Sequence, residues 1–237
     1  MLFSISGPSV RAQNDVFPWT PKGIGDLGAN GVQQSRYGDC WFEAALADVA
    51  RLPRGQERLS RMITYGPNHN TYVVHFPDNG SVYTVTLDDI KAFGLRDKAL
   101  WARVVECAQL KRFPNGSGVN DPESGRGAPG TGLHCLTGNR TEAIKTKEVN
   151  PEELATFIYS AVSSQNPVLA ATRQGVRHPL VGGHEYSIVD VDLGHQFVVL
   201  RNPWGSNPGD QSRSAGYVKL SLTDFANQFW LVTRSWL

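Results

Sequence analysis

Cys40 stands where a polar, glycine-containing segment gives way to an apolar run with helical spacing, in the stretch "QQSRYGDCWFEAALADVA". A thiol in the first turn of a helix lies near unpaired backbone N–H groups and the positive end of the helix dipole, and both favour its thiolate. Its own N–H can serve as an oxyanion donor, and Gln34 can supply a second one. The pattern therefore predicts a nucleophile at Cys40. The alternative is that Cys40 is a buried residue that only packs in the core, as many free cysteines do.

A thiol nucleophile needs a base, and the sequence offers six histidines. Two predicted strands, "EYSIVDVD" and "QFVVLR", flank the turn "DLGH" and would form a hairpin centred near Leu193. In that register His184 lies opposite Asn202, within reach of cross-strand side chains. An Asn amide oxygen can fix the imidazole tautomer and leave the other ring nitrogen for the thiol. Cys40, His184 and Asn202 are thus a candidate triad, unless His184 and Asn202 are only turn residues.

The other two cysteines, Cys107 and Cys135, are predicted to be structural. Cys107 falls within the apolar pattern of a helix. Cys135 follows His134 in a segment that we interpret as extended, where adjacent side chains point to opposite faces. Three cysteines are an odd number, and they show no CxxC spacing, so neither a zinc site nor a disulfide framework is expected.

The elements around these residues predict an α+β protein of two lobes. A helix should begin at Cys40, a β-hairpin should follow it, and a second helix should be capped by Asp97. Short strands dominate the last third of the chain. We expect a helix-rich lobe over residues 1–145, which carries the cysteine, and an antiparallel β-rich lobe over residues 146–237, which carries the histidine and the asparagine. The active-site cleft would lie between them.

Composition excludes several classes of protein. The 237 residues are 40% hydrophobic, enough for a packed core without disulfides. The formal charge of +1 comes from 23 basic and 22 acidic residues without long runs, so no nucleic acid and no membrane surface is expected as a partner. With no signal peptide and no bilayer-spanning apolar run in the sequence, we expect a cytoplasmic location, or secretion without a recognisable signal. The expected partners are a protein or peptide substrate and an unknown inhibitory or regulatory protein.

Four segments resemble, in the same order, signature segments of the calpain-type cysteine proteases, which have a papain-like fold. They are "QQSRYGDCWF", "LWARVVECAQLKRF", "GGHEYSIVDVD" and "VVLRNPWG", and the similarity extends more weakly into "GYVKLSLTDFANQFW". The resemblance implies that Cys40 is the nucleophile, His184 the general base and acid, and Asn202 the residue that orients the histidine. It also implies that Gln34 is the oxyanion donor and that Trp204 covers the His–Asn hydrogen bond from water.

The resemblance also raises the question of calcium activation. Calcium-activated members commonly carry an acidic residue three positions before the oxyanion glutamine, and Gly31 occupies that position here. Asp121 with Glu123, and Asp190 with Asp192, could still bind a hard cation, but scattered carboxylates are usually solvated. We therefore expect no metal site and no cofactor. Calcium binding is possible but is predicted not to be required.

The function implied is a cysteine endopeptidase that hydrolyses peptide bonds through a thioester acyl-enzyme. A papain-like amidase, deamidase or transpeptidase would use the same triad, because fold and triad do not decide the acceptor. A non-catalytic peptide-binding module is a third alternative. Glu185 follows His184 where the family usually has a small residue, and it could alter the pKa of the histidine or the entrance of the cleft.

Overall fold

A computed structural model describes residues 19–68, 70–113, 128–209 and 215–237. In these ranges there are eight α-helices: α1 (Pro21–Gly25), α2 (Cys40–Arg51), α3 (Pro53–Met62), α4 (Leu87–Phe93), α5 (Leu100–Arg112), α6 (Thr131–Thr137), α7 (Pro151–Ser163) and α8 (Leu222–Gln228). The strands in the same ranges are β1 (Ile63–Tyr65), β2 (Thr71–His75), β3 (Val82–Thr86), β4 (Glu142–Lys145), β5 (Val168–Thr172), β6 (Glu185–Asp192), β7 (Phe197–Arg201), β8 (Tyr217–Ser221) and β9 (Phe229–Arg234).

The first core forms around α2. Every residue of this helix from Trp41 to Ala50 is buried, because α6 packs against it on one side and strands β5 and β6 on another. The antiparallel sheet β1-β2-β3 closes this part of the molecule and buries Tyr72, Val74 and Val85 in the same core. Helix α2 is therefore a central helix rather than an amphipathic surface one, and its first residue is held in a fixed place.

The second core lies on a six-stranded antiparallel sheet with the order β4-β9-β5-β6-β7-β8. Helices α7 and α8 contribute Leu154, Ile158 and Phe225 to this core. Strand β5 is buried along its whole length, since the sheet covers α2 as well. Neighbouring strands place the start of β6 and the end of β7 side by side.

Specific hydrogen bonds fasten α2 to this sheet. Ser187 Oγ on β6 donates to the carbonyl of Ala44 at 2.8 Å, and the Val168 N–H on β5 donates to Asp48 Oδ2 at 2.6 Å. Arg51 pairs with Asp48 and also donates to the carbonyl of Ile188. Because these groups are mostly buried, the bonds fix the angle at which the Cys40 end of α2 meets β6.

The predicted α+β class is confirmed, with mixed helices and antiparallel sheets that fit a papain-like protease core. The predicted hairpin forms as β2 and β3. The division at residue 145 stays a prediction. Strand β4 lies before the predicted boundary, yet it pairs with β9 of the six-stranded sheet. Leu169 of β5, which lies after the boundary, is buried in the first core.

Two local predictions are wrong for physical reasons. Asp97 does not cap α5, whose N-cap is Ala99. The Asp97 carboxylate instead accepts the Gln33 N–H at 2.6 Å, a tertiary bond that sequence spacing does not reveal. Cys135 lies in helix α6, not in an extended segment, and Gly130 and Gly138 bracket that helix with positive φ angles. Cys135 is nevertheless buried, as is Cys107.

No helix in the described ranges is both long enough and apolar enough to cross a lipid bilayer.

Candidate active site

A cavity of about 660 Å³ lies between the N-terminus of α2 and the start of β6. Cys40 and His184 both line it, so the structure brings these two predicted residues to one site. The described residues that complete its walls are Gly38, Trp41, Pro129, Ala171, Thr172, Arg173, Gln174, Gly183, Glu185 and Trp230. The site is thus built from the start of α2 and from strands of the six-stranded sheet with the segments beside them.

Cys40 is the first residue of α2, as the sequence predicts, and Asp39 is its N-cap. The helix ladder begins with the N–H groups of Phe42 and Glu43, which both donate to the Asp39 carbonyl. The N–H of Cys40 precedes the first of these helical hydrogen bonds. Backbone N–H groups at the start of a helix have no acceptor within the helix, so they can donate to a ligand. The sulfur accepts backbone hydrogen bonds from Trp41 and Glu185.

The helix terminus favours the thiolate of Cys40, as expected from the sequence, but burial has the larger effect at this site. Burial raises the pKa of the thiol to about 11, and the nearby carboxyls of Glu185 and Asp39 add to the rise. Desolvation of the charged form outweighs the backbone donors at this site. In the free site the thiol therefore keeps its proton, and a base must remove it.

Asn202 supplies the partner of His184. Its Oδ1 lies 2.9 Å from His184 Nε2 and also accepts the backbone N–H of Trp204 at 3.0 Å. A backbone N–H can only donate, so the atom facing it must be the amide oxygen, and His184 Nε2 must then carry the proton. Nδ1 of His184 is left as the basic nitrogen. His184 and Asn202 are 6% and 0% exposed, which protects this bond from water.

The contact forms in a register different from the predicted one. Strands β6 and β7 pair Ser187 with Arg201, and a bulge between Ile188 and Asp190 shifts the remainder of the ladder. His184 and Asn202 thus stand just outside the strand ends and are not a directly opposed pair. The extra residues of the bulge and turn were invisible in the alternating pattern, because both strands keep their buried faces.

Trp204 and Gln34 lie close to this pair. The Trp204 ring is 4.8 Å from the His184 ring between centroids, at an interplanar angle of 51°. Gln34 is buried, and its N–H donates to the carbonyl of Pro203 at 2.9 Å, so its loop touches the segment between Asn202 and Trp204. Its Nε2 donates to the Tyr37 carbonyl at 2.7 Å, and its side chain also hydrogen-bonds the Asp39 carboxyl.

Burial lowers the pKa of His184 to about 4, and the hydrogen bond that the ring donates to Asn202 offsets part of this fall. The imidazole is therefore neutral at pH 7 and can accept a proton. Glu185 is not among the causes of this shift. Its effect is on the pKa of Cys40.

Sequence reasoning missed a group of buried carboxyls beside the site. One carboxylate oxygen from each of Asp39, Glu43 and Glu106 lies within 4.8 Å of the others, and all three side chains are fully buried. Burial raises the pKa of Asp39 to about 8 and that of Glu106 to about 9. One signal was available, since Glu43 follows Asp39 by four residues and so lies on the same face of a mostly apolar helix.

This group is where the chain could hold a cation, but burial raises the pKa values of its carboxyls, so protons occupy it near neutral pH. The buried guanidinium of Arg201 also interacts electrostatically with Glu43, and a positive charge there opposes the entry of a cation. At Gly31 a carboxylate has no room, because a Cβ there would come within 2.9 Å of the Trp101 ring. Asp192 bonds to His195, Asp190 accepts the N–H of Val191, and Asp121 and Glu123 lie outside the described residues.

Comparison with known proteins agrees with this architecture. The family model described as "Calpain family cysteine protease" matches residues 24–216, which include all of the candidate site residues. The chain is 28% identical over 212 residues to the calpain-type cysteine protease DEK1 of Arabidopsis thaliana and 26% identical over 211 residues to calpain-9 of Homo sapiens. Each alignment covers 77% of this chain but only 9% of DEK1 and 29% of calpain-9. This chain belongs to the calpain family of cysteine proteases.

Proposed function

We propose that the chain is a cysteine endopeptidase in which Cys40, His184 and Asn202 act as the catalytic triad. The observation that carries this proposal is that Asn202 Oδ1 accepts two hydrogen bonds, one from His184 Nε2 and one from the Trp204 N–H. These bonds leave His184 Nδ1 unprotonated, and His184 shares its cavity with Cys40. A binding cleft has no need of a thiol, a base and an orienting amide in one place.

In the proposed reaction His184 Nδ1 takes the proton of the Cys40 thiol as the sulfur attacks the peptide carbonyl. The N–H of Cys40 and Nε2 of Gln34 stabilise the oxyanion. As the tetrahedral intermediate collapses, the C–N bond breaks and His184 returns its proton to the leaving amine. Water, deprotonated by the same imidazole, then hydrolyses the thioester and regenerates the thiol.

Cys40 and His184 are both neutral in the free site, and this determines when the proton is transferred. With the pKa of Cys40 near 11 and that of His184 near 4, proton transfer between them costs free energy in the free site. A bound substrate offsets this cost because the negative charge passes from sulfur to the oxyanion, where donors are in place. The proton transfer is therefore coupled to attack rather than completed before it.

An amidase, deamidase or transpeptidase remains an alternative, since each would form the same acyl-enzyme. A non-catalytic peptide-binding module is the weaker alternative. Reaction of Cys40 with iodoacetamide at neutral pH separates catalysis from mere binding. We expect one adduct per chain, at Cys40, and a rate at least tenfold lower in His184→Ala. Equal rates in the two proteins would contradict the role of His184, and labelling of Cys107 or Cys135 instead would contradict that of Cys40.

Calcium is proposed not to be required. A calcium ion needs six to eight oxygen ligands, several of them charged. The loop at Gly31 offers no carboxylate, and the hydrogen bonds from Ser187 and Val168 already hold α2 on the sheet. The test is hydrolysis of a peptide substrate in excess EGTA and in millimolar calcium, where equal rates are expected. An increase of tenfold or more with calcium would show a functional ion site, for which Asp39, Glu43 and Glu106 would be the first residues to mutate.

A further inference from the structure

Glu185 places a buried carboxyl in the wall of the active-site cavity. It is the first residue of β6, it is 3% exposed, and it adjoins Cys40. The N–H of Gly130 donates a hydrogen bond to this carboxyl. Its other oxygen, Oε1, has no hydrogen-bond partner among the described residues. A buried carboxyl oxygen without a donor is unfavourable, so it calls for a group from outside the fold.

The cation that lines the same cavity does not meet this need. Arg173 Nε donates to the carbonyl of Asn227 at 3.2 Å, and its Nη2 donates to Thr146 Oγ1 at 3.1 Å. Among the described residues Glu185 has no ion pair. Its carboxyl therefore has no cationic partner in the described part of the fold.

The remaining walls suit a long aliphatic chain. Pro129, Ala171 and Trp230 line the cavity together with Glu185. A side chain with several methylene groups and a charged end can bury its stem on such surfaces while its head reaches a carboxyl. Lysine and arginine have this composition, and a charge-assisted hydrogen bond to a carboxylate is stronger than a neutral one.

We propose that Glu185 makes the pocket beside Cys40 selective for a substrate with a basic side chain, whose stem lies along Ala171 and Trp230 and whose cationic head bonds Glu185 Oε1. This selectivity rests on the proposed peptidase function. Burial raises the pKa of Glu185 to about 8, so the empty pocket holds a neutral carboxyl, which ionises and releases its proton when the cation enters.

The test uses pairs of peptidyl chloromethyl ketones that are identical except for lysine or norleucine at one position before the reactive group. Each position is varied in turn, and the rate of alkylation of Cys40 is measured by intact mass in wild type, Glu185→Gln and Glu152→Gln. Glu152 is exposed on α7 and serves as the matched control. The ratio of the lysine rate to the norleucine rate cancels any change in the acidity of the thiol itself.

At one of the varied positions, wild type and Glu152→Gln should react at least tenfold faster with the lysine reagent than with the norleucine reagent. In Glu185→Gln the ratio of these two rates should fall to within about twofold of one. A ratio that is unchanged in Glu185→Gln, or no preference for lysine at any position, would overturn the selectivity. Failure of the proposed function looks different, because iodoacetamide would then label Cys40 at a rate independent of His184. If no peptidyl reagent reacts at Cys40, both proposals are overturned.

Discussion

Replacement of Asn202 by alanine tests the orienting role of its amide most sharply. The mutation removes the oxygen that accepts both His184 Nε2–H and the Trp204 N–H, and it leaves a buried imidazole donor without a partner. An unsatisfied buried donor costs about 1–3 kcal/mol. If that cost falls on the productive orientation of His184, kcat should drop by about 10- to 100-fold, since each 1.4 kcal/mol is a factor of ten. Cys40→Ala and His184→Ala, by contrast, should abolish turnover.

The assay is steady-state cleavage of a fluorogenic peptide, with thermal unfolding measured on the same preparations. Asn139→Ala is the matched control, because Asn139 Nδ2 donates to the Trp236 carbonyl at 2.9 Å, a structural hydrogen bond outside the cavity. We expect both variants to lose stability, but only Asn202→Ala to lose kcat. Asn202→Asp restores an acceptor and adds a negative charge, so the pKa of His184 should rise from about 4 and the acid limb of the kcat/KM profile should move to higher pH. Unchanged kcat in Asn202→Ala would refute the orienting role.

Three further outcomes are expected. Gln34→Ala should lower the acylation rate by about 10²- to 10³-fold with little change in KM, the usual loss for one oxyanion donor, and a loss confined to KM would contradict that role. Cys107→Ala should keep full activity while losing about 1–2 kcal/mol of unfolding free energy, because Cys107 is buried in the first core, and chemical denaturation measures this. Burial raises the pKa values of Asp39 and Glu106, so these groups stabilise the fold below about pH 4, and this contribution is lost as pH rises toward 8 and 9. The free energy of unfolding should therefore fall over that range, and Glu43→Gln should reduce the slope because it removes a third carboxyl whose pKa is raised. A slope that Glu43→Gln leaves unchanged would show that the carboxyls do not titrate together.

The sequence predicted the main elements because their signals are local. Cys40 begins α2 where a polar segment meets an apolar period, and Asn150 with Glu153 forms a capping box at the start of α7, which is also a local sequence pattern. The contact of His184 with Asn202 was also predicted, although from an incorrect register. It survives the error because the observed pairing near these strand ends differs from the predicted one by only two positions, an offset that long cross-strand side chains can span.

The electrostatics of the site was not predictable from sequence. The pKa of Cys40 depends on how deeply α2 is buried and on Glu185 of β6, and neither is a property of the helix terminus. Asp39 and Glu43 lie at the start of α2 and Glu106 lies in α5, which is distant in sequence, so only the tertiary fold brings these three carboxyls together. Local patterns predict elements, whereas pKa values depend on the tertiary environment.

The central claim is that Cys40 is the nucleophile of a peptidase, and terminal-peptide profiling of a proteome tests it most directly. Matched samples of an extract are treated with wild type or with Cys40→Ala, in EGTA and in calcium, and new protein N-termini are counted by mass spectrometry. New N-termini should arise with wild type in both media and should be absent with Cys40→Ala. Side-chain mass shifts without new N-termini would indicate a deamidase or transpeptidase, and N-termini produced equally by Cys40→Ala would contradict the account.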